Sequence, residues 1–215
     1  MAAVQDAGQG GGPGGAGGGA IGIVLAGGRA ERLGGIDKCL LEVGGRPILA
    51  DALAVLRPHL PAIVISANGA PERFAAFGCP VLADPPGLQG AGPLAGLAAF
   101  AAAFPGRPAI CVPGDTPFLP ADLVPRLRAA AGTGTAYAGS AGRAHPTIAA
   151  HGPGDLARLP GWLAAGGRAA MGWLAHVGAV PVDWPVTGDA DPFMNVNRPA
   201  DLEAARQRAV ATTAR

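Results

Sequence analysis

The sequence predicts a three-layer α/β/α, Rossmann-like fold, in which helices cover both faces of a mostly parallel sheet that has an antiparallel addition. Two observations predict it. Short apolar, β-branched runs alternate with longer segments of helical periodicity, a pattern typical of parallel sheets. Three of the runs also end in polar residues, in "LAGG", "LAD" and "PGDTP". Because ligands bind at the carboxyl ends of the strands in such sheets, these ends should meet at one functional edge.

The first half of the fold is expected to alternate four strands with helices. The strands are predicted in "AIGIVLAGG", "AIVISAN", "CPVLAD" and "RPAICVPGD", where apolar and β-branched residues run into a loop. The helices are predicted in "RPILADALAVLRPHL", which has a proline near its first turn, in "GPLAGLAAFAAAF" and in "PADLVPRLRAAA".

The second half is less regular and should supply the antiparallel addition. "TAYAGS" and "AHPTIAAH" are predicted as two strands that can pair antiparallel, and "AVPVDWP" as a further strand. "LARLPGWLAAGGRAAMGWLAHV" is predicted as two short helices. "FMNVNRPADLEAARQRAV" is predicted as a loop entering a C-terminal helix, with Pro199 near its first turn and arginines towards its end, as the helix dipole favours.

Length and composition favour one globular domain after a tail. Residues 1–19 are rich in glycine and lack both a basic start and a continuous apolar stretch, so we expect a flexible tail rather than a secretory signal. Residues 20–211 are then expected to form a single domain, since 215 residues suit one domain of ordinary size.

Net charge and cysteine content indicate which classes of binding partner are disfavoured and which cellular compartment the protein occupies. The net charge of +1 does not favour nucleic acid or an anionic membrane as a partner, and no apolar run is long enough to span a bilayer. The three cysteines have wide, irregular spacing, which suits neither a disulfide framework nor a zinc knuckle. We therefore expect a cytoplasmic protein.

The stretch "LAGGRAERLGGIDK" has the composition of a phosphate-binding loop. Consecutive glycines after a strand let the backbone approach a ligand and offer N–H groups to an anion. Arg29, Arg32 and Lys38 add positive charge, and Lys38 is the one lysine of the chain. A compact ammonium suits point contacts with phosphate oxygens in a way that a planar guanidinium does not. The loop is not a Walker motif, because that motif needs G-K followed by Ser or Thr.

The form L-A-G-G…R-x-G-G-x-D-K resembles the molybdenum cofactor guanylyltransferases (the MobA family), nucleotidyltransferases with a GT-A-like α/β fold. The resemblance continues in order through "GPLAGL", "PGDTPFLP", "HPTIA" and "NVNRP". It implies that the nucleotide is bound by the loop, including Leu25, Ala26, Gly27, Gly28 and Lys38. The sibling cytidylyltransferases usually carry L-A-A-G and lack the Gly-Asp pair before the lysine.

Asp115 in "CVPGDTPFLP" lies just past a predicted buried strand, in a rigid turn at the functional edge. Its position fits equally well a magnesium ligand and a turn aspartate that bonds its own backbone. The resemblance implies the first role, with Mg²⁺ as the cofactor and Asp115 as its ligand. Lys38 and Asp115 are then the main catalytic candidates, and we add Arg32 as a second phosphate contact.

Three other polar residues on the same edge are candidates for nucleotide binding. The resemblance makes Asp84, which ends "CPVLAD", a nucleotide contact, although an aspartate before a proline also starts loops. The family often has N-A-N at the end of the strand "AIVISAN", whereas this chain has Ser66 and Asn68. A hydroxyl at position 66 does not offer the donor and acceptor pair of an amide, so this chain departs from the family at that nucleotide contact.

The segment "NVNRP" holds two of the three asparagines of the chain, Asn195 and Asn197. Their alternate spacing in an extended segment places both side chains on one side, which suits a polar heterocycle or a phosphate, although one could instead cap the next helix. In the family this segment helps to form the acceptor side of the cleft. His145 in "HPTIA" matches a family motif, and we assign it no proton transfer.

The resemblance implies transfer of GMP from GTP to the phosphate of Mo-molybdopterin, which gives the guanine dinucleotide and pyrophosphate. Other proteins of cofactor biosynthesis and the molybdoenzymes would be partners. Two alternatives remain open on the sequence: the same chemistry with CTP or a sugar-phosphate acceptor, and a non-catalytic nucleotide-binding adapter.

Overall fold

The computed structural model describes residues 19–27, 37–89, 91–186 and 190–213. In these ranges the strands are β1 (Ile21–Leu25), β2 (Glu42–Val43), β3 (Arg46–Pro47), β4 (Ile63–Ser66), β5 (Val81–Leu82), β6 (Ala109–Pro113), β7 (Thr135–Ser140), β8 (Arg143–His151) and β9 (Val180–Trp184). The α-helices are α1 (Ile48–Leu56), α2 (Pro93–Ala103), α3 (Leu123–Ala131), α4 (Pro153–Ala164), α5 (Ala170–Val177) and α6 (Pro199–Thr213). Short 3-10 helices lie at Lys38–Leu40 and Pro71–Phe77.

Seven strands form one sheet in the order β5-β4-β1-β6-β8-β7-β9. The pairs among β5, β4, β1 and β6 are parallel, β8 runs antiparallel to both β6 and β7, and β9 is parallel to β7. The prediction of a mostly parallel sheet with an antiparallel addition is therefore confirmed. The carboxyl ends of β5, β4, β1 and β6 lie along one edge of the sheet, as expected from "LAGG", "LAD" and "PGDTP".

Helices cover both faces of the sheet because successive residues of each strand point to opposite sides. On one face Val24, Ile65 and Val112 pack with apolar residues of α1 and α3. On the other face Ile23 and Cys111 pack with α2, α4 and α5. This arrangement confirms the three layers. None of the described helices is both long and apolar enough to cross a bilayer.

Two features differ from the sequence-based expectation. The small hairpin of β2 and β3 was not predicted, because two-residue strands leave no readable periodicity. It packs against α6 in a third apolar cluster that includes Val43, Val196 and Leu202. Helix α3 begins at Leu123, after the "PAD" that we expected to start it, and Asp122 instead accepts a hydrogen bond from Nε1 of Trp184 at 2.9 Å.

Candidate active site

The loops after β1, β4 and β6 are fixed to one another by backbone hydrogen bonds. The N–H of Ala26 donates to the carbonyl of Ser66 at 2.9 Å, and the N–H of Gly114 donates to the carbonyl of Leu25 at 2.9 Å. The three strand ends therefore form one rigid edge. Ala26 itself is buried, and its N–H is used within the fold rather than offered to a ligand.

A cavity of about 370 Å³, here called the first cavity, opens at this edge. It brings together most of the described residues predicted to bind nucleotide. Those that line it are Leu25, Gly27, Ser66, Asn68, Asp84 and Asp115, joined by Gly92, Pro93, Gly96, Pro113, Thr147 and Asn195. Thr147 was not predicted, although it belongs to the motif "HPTIA". Gly28, Arg29 and Arg32 lie outside the described residues.

Gly96 of α2 lies directly against Ser66 at the wall of the first cavity. A Cβ atom at position 96 would meet Oγ of Ser66 at 2.2 Å, Cβ of Ser66 at 3.0 Å and Cδ2 of Leu25 at 2.9 Å. Rotation of the serine hydroxyl relieves the shortest of these contacts and leaves the other two. Helix α2 therefore approaches the ends of β1 and β4 this closely only with glycine at position 96.

This contact predicts opposite effects for two helical glycines. Gly96→Ala is expected to lower the free energy of unfolding by about 1–3 kcal/mol, because the core must shift to admit a methyl group. Gly161→Ala is the matched control, since Gly161 lies inside α4 and a Cβ there meets nothing within 4 Å. It should raise the same quantity by about 0.5–1 kcal/mol through helix propensity. Urea unfolding of both variants measures this, and equal effects would contradict the packing argument.

Asn68 and Asp84 hold each other in place. Nδ2 of Asn68 donates to Oδ2 of Asp84 at 2.6 Å, and the N–H of Asp84 donates to Oδ1 of Asn68 at 2.9 Å. The amide oxygen of Asn68 is thus used internally. For a ligand in the first cavity this pair offers the second amide proton of Asn68 and the carboxylate of Asp84.

Arg73, from the 3-10 helix after β4, is a residue that the sequence analysis missed. Its Nε forms an ion pair with Oδ2 of Asp37 at 3.0 Å, and its Nη2 donates to the carbonyl of Asn68. Arg73 therefore ties the residue before Lys38 to the end of β4. No sequence motif marks it, because the contact joins segments that only the fold brings together.

Lys38 begins the 3-10 helix Lys38–Leu40, and its Nζ donates to Oδ1 of Asn197 at 2.6 Å. The side chain of Asn197 therefore holds the lysine and does not cap α6, which leaves the capping alternative unsupported. The carboxylate of Asp201 instead accepts hydrogen bonds from the N–H groups of Asn197 and Arg198, at 2.9 and 2.8 Å. The glycine loop and "NVNRP", distant in sequence, thus meet at one ammonium group.

Asp115 lies at the end of β6 in a largely buried position. Burial raises the pKa of its carboxyl group, and the charge of Lys38 opposes that rise. The charges of Lys38 and Asp115 are thus close enough to interact, although the described residues include no ion pair between them within 4 Å. Oδ1 of Asp115 is buried and has no hydrogen-bond partner in the described part of the chain.

An unpartnered buried carboxylate oxygen is what a bound cation would satisfy. The described residues contain no group of three or more His, Cys, Asp or Glu that could hold a metal ion by themselves. Mg²⁺ usually takes one or two carboxylates and completes its shell with water and substrate phosphates. Asp115 fits that donor set.

The segment "NVNRP" is fixed against the turn that carries Asp115. The N–H of Val196 donates to the carbonyl of Asp115 at 2.9 Å, and Oγ1 of Thr116 donates to Oδ1 of Asn195 at 2.9 Å. Asn195 also lines a second cavity of about 360 Å³. The other residues that line this second cavity are Arg143, His145, Asp191, Phe193, Met194 and Asn197. Asn195 therefore lines both cavities, while Asp115 lines the first and Asn197, which binds Lys38, lines the second.

A lysine and a buried carboxylate near the carboxyl edge of a parallel sheet suit a ligand that carries phosphates, as in the nucleotide-binding α/β enzymes. A family model described as the MobA-like NTP transferase domain matches residues 22–180. The chain belongs to this MobA-like family of nucleotidyltransferases, which confirms the resemblance that its motifs indicated.

Relatives and solved structures agree with this assignment. The chain is 41% identical to a molybdenum cofactor guanylyltransferase of Cereibacter sphaeroides, over 86% of this chain and 94% of that protein. It is 44% identical to a protein of the same description from Mesorhizobium japonicum, over 86% of this chain and 94% of that protein. The fold matches a molybdopterin-guanine dinucleotide biosynthesis protein A of Archaeoglobus fulgidus with a TM-score of 0.69 and 20% identity, over 89% and 99% of the two chains.

Proposed function

We propose that this enzyme transfers GMP from GTP to the phosphate of Mo-molybdopterin, forming Mo-molybdopterin guanine dinucleotide and pyrophosphate. The observation that carries the proposal is that two cavities share Asn195 in their lining, while Asp115 lines the first and Asn197, which binds Lys38, lines the second. A group transfer between two bound molecules needs this arrangement. The names of the relatives, at 41–44% identity over most of the chain, support GTP and Mo-molybdopterin as the two substrates.

GTP is assigned to the first cavity. We propose that Gly27, which lines this cavity, and Gly28 bind the triphosphate, and that Ser66, Asn68 and Asp84 contact the nucleoside. Arg32 is proposed as a further phosphate contact. Mo-molybdopterin is assigned to the second cavity, where Asn195 and Asn197 form its acceptor-binding wall.

Lys38 is proposed to neutralise the phosphates. Its hydrogen bond to Asn197 holds the ammonium group beside a residue of the second cavity, and the Asp37–Arg73 ion pair fixes the residue before it. Asp115 is proposed to hold Mg²⁺, which when bound supplies positive charge to the triphosphate oxygens. The carboxylate of Asp115 suits this role because its Oδ1 has no other partner in the described residues.

The reaction is an in-line displacement. An oxygen of the acceptor phosphate forms a bond to the α-phosphorus of GTP, and the bond from that phosphorus to the bridging oxygen of the leaving pyrophosphate breaks. The acceptor phosphate is ionised at neutral pH, so the enzyme need not remove a proton. Catalysis then consists of alignment and charge neutralisation, for which Lys38 and Asp115 are placed.

A competition experiment tests the choice of nucleotide. Equal concentrations of GTP, ATP and CTP, offered together with Mo-molybdopterin, are expected to yield mainly the guanine dinucleotide by mass analysis of the products. A dominant cytosine product would replace GTP by CTP in the proposal. Nucleotide binding without pyrophosphate release would indicate an adapter instead of an enzyme.

The product is proposed to pass to other proteins of cofactor biosynthesis and to molybdoenzymes in the cytoplasm. Residues 1–19 are proposed as a tail outside the catalytic domain, which we place at residues 20–211. The family match over residues 22–180 lies within that domain.

A further inference from the structure

A chain of hydrogen bonds holds His145 at the wall of the second cavity. Oγ of Ser140, at the end of β7, lies 2.8 Å from Nε2 of His145 on β8 and 2.8 Å from Oδ1 of Asp191. The same carboxylate oxygen accepts a hydrogen bond from the N–H of Phe193 at 2.9 Å. Ser140 and His145 are both buried, and the imidazole ring packs on Phe193 with ring centroids 4.9 Å apart.

The protons in this chain can be assigned by counting donors. A carboxylate only accepts, so the single proton of the Ser140 hydroxyl is directed to Asp191. The oxygen of Ser140 is then left as an acceptor towards His145. Nε2 of His145 must therefore carry a proton, since two lone pairs 2.8 Å apart would repel each other.

The neutral ring consequently has its free lone pair on Nδ1. Burial lowers the pKa of His145, and the nearby charge of Arg143 lowers it further, while Asp191 acts in the opposite direction. The guanidinium of Arg208, which donates to the backbone carbonyl of Asp191, also lies near this carboxylate. No residue in the described part of the chain forms a hydrogen bond with Nδ1.

Apart from the carboxylate of Asp191, the other polar side chains at this wall offer hydrogen-bond donors. The amide oxygens of Asn195 and Asn197 already accept from Thr116 and Lys38, so both amides are left with their N–H groups. Arg143 adds a guanidinium. These donors suit the oxygens of a phosphate, whereas a nitrogen heterocycle with N–H groups also needs an acceptor.

We propose that His145 determines specificity for the acceptor, with its Nδ1 accepting a hydrogen bond from an N–H group of the acceptor's heterocycle. Ser140 and Asp191 are positioning residues that keep the proton of His145 on Nε2. This inference rests on the proposed function, because it places the acceptor in the second cavity. A pterin, whose pyrimidine ring carries N–H donors, has the required chemistry.

The tautomer is tested first, on the wild-type protein. Long-range ¹H–¹⁵N spectra of protein labelled at its four histidines show which ring nitrogen carries the proton, and His145→Asn identifies the resonance. We expect His145 to be neutral at pH 7 and protonated on Nε2. We also expect Ser140→Ala to give a mixture of tautomers. A proton on Nδ1 of the wild-type His145 would overturn the proposal.

Kinetics then test the role of Nδ1. His145→Ala should raise the KM for Mo-molybdopterin about tenfold, the loss of one hydrogen bond, and leave the KM for GTP within about twofold. His145→Asn, whose Oδ1 replaces Nδ1 as an acceptor, should recover most of that loss. His59→Ala, at an exposed position after α1, is the control and should change neither constant.

Two kinetic results would overturn the proposal: an equal rise in both KM values in His145→Ala, or no recovery in His145→Asn. These results are distinct from a failure of the proposed function, which would appear as wild-type protein that forms no dinucleotide product. The tautomer measurement needs no turnover.

Discussion

Lys38→Ala is expected to lower kcat for GMP transfer at least about a hundredfold, the size of effect seen when one preorganised charge-stabilising group is removed. Nζ of Lys38 is held at 2.6 Å from Oδ1 of Asn197, a residue that lines the second cavity. This contact is exposed and lies outside the apolar core, so the variant should fold normally. Pyrophosphate release under saturating GTP and Mo-molybdopterin measures the loss, and thermal unfolding checks the fold.

Two further variants separate the position of the charge from its presence. Lys38→Arg keeps a positive charge but replaces a compact ammonium by a planar guanidinium group. It should therefore recover only a small part of the kcat that is lost in Lys38→Ala. Arg46→Ala removes an exposed charge from the β2–β3 hairpin, where Arg46 pairs with Asp51, and should leave kcat unchanged. A near-normal rate in Lys38→Ala would remove this lysine from the mechanism.

The sequence could predict the fold because its layers follow from local patterns. The strands that run into "LAGG", "LAD" and "PGDTP" end at one edge of the sheet, and "TAYAGS" and "AHPTIAAH" pair antiparallel as predicted. Lys38 could be found because it is the one lysine of the chain, and Asp115 could be found because it follows a predicted buried strand. Rarity and position at a strand end are properties that a single sequence displays.

The contacts that complete the site could not be predicted in the same way. Lys38 and Asn197 are 159 residues apart, and Ser140 and Asp191 are 51 apart. Such pairs depend on how loops from different strands approach, which no local periodicity records. Arg73 was missed for this reason, since its ion pair with Asp37 forms only when the helix after β4 folds back towards β1.

The candidate site also uses more of its polar groups internally than the sequence implied. Asn68 was expected to contact the nucleotide, yet its amide oxygen accepts from the N–H of Asp84, and Asn197 is engaged with Lys38. These internal hydrogen bonds leave fewer polar atoms for a ligand, but they fix the orientation of the polar atoms that can still bind one. Asp115 is the exception, because one of its oxygens is buried with no partner in the described residues.

The unpartnered oxygen of Asp115 leads to a second prediction with a large effect on kcat. Asp115→Asn is expected to lower kcat at least about a hundredfold, because an amide has nearly the shape of the carboxylate but no charge with which to hold a divalent cation. Raising the Mg²⁺ concentration should not restore the rate. Lys38→Ala, by contrast, should keep the magnesium dependence of its residual activity, since Asp115 is intact there.

The same substitution should not reduce stability. Burial raises the pKa of Asp115 in the folded protein, so the ionised carboxylate at neutral pH is less favourable in the folded state than in the unfolded chain. A neutral side chain of equal size relieves that cost, and without nucleotide or metal the Tm of Asp115→Asn should equal or exceed that of the wild type. A Tm well below the wild-type value would mean that the carboxylate supports the fold. Loss of activity together with unchanged or higher stability would show that this buried charge is retained for the reaction.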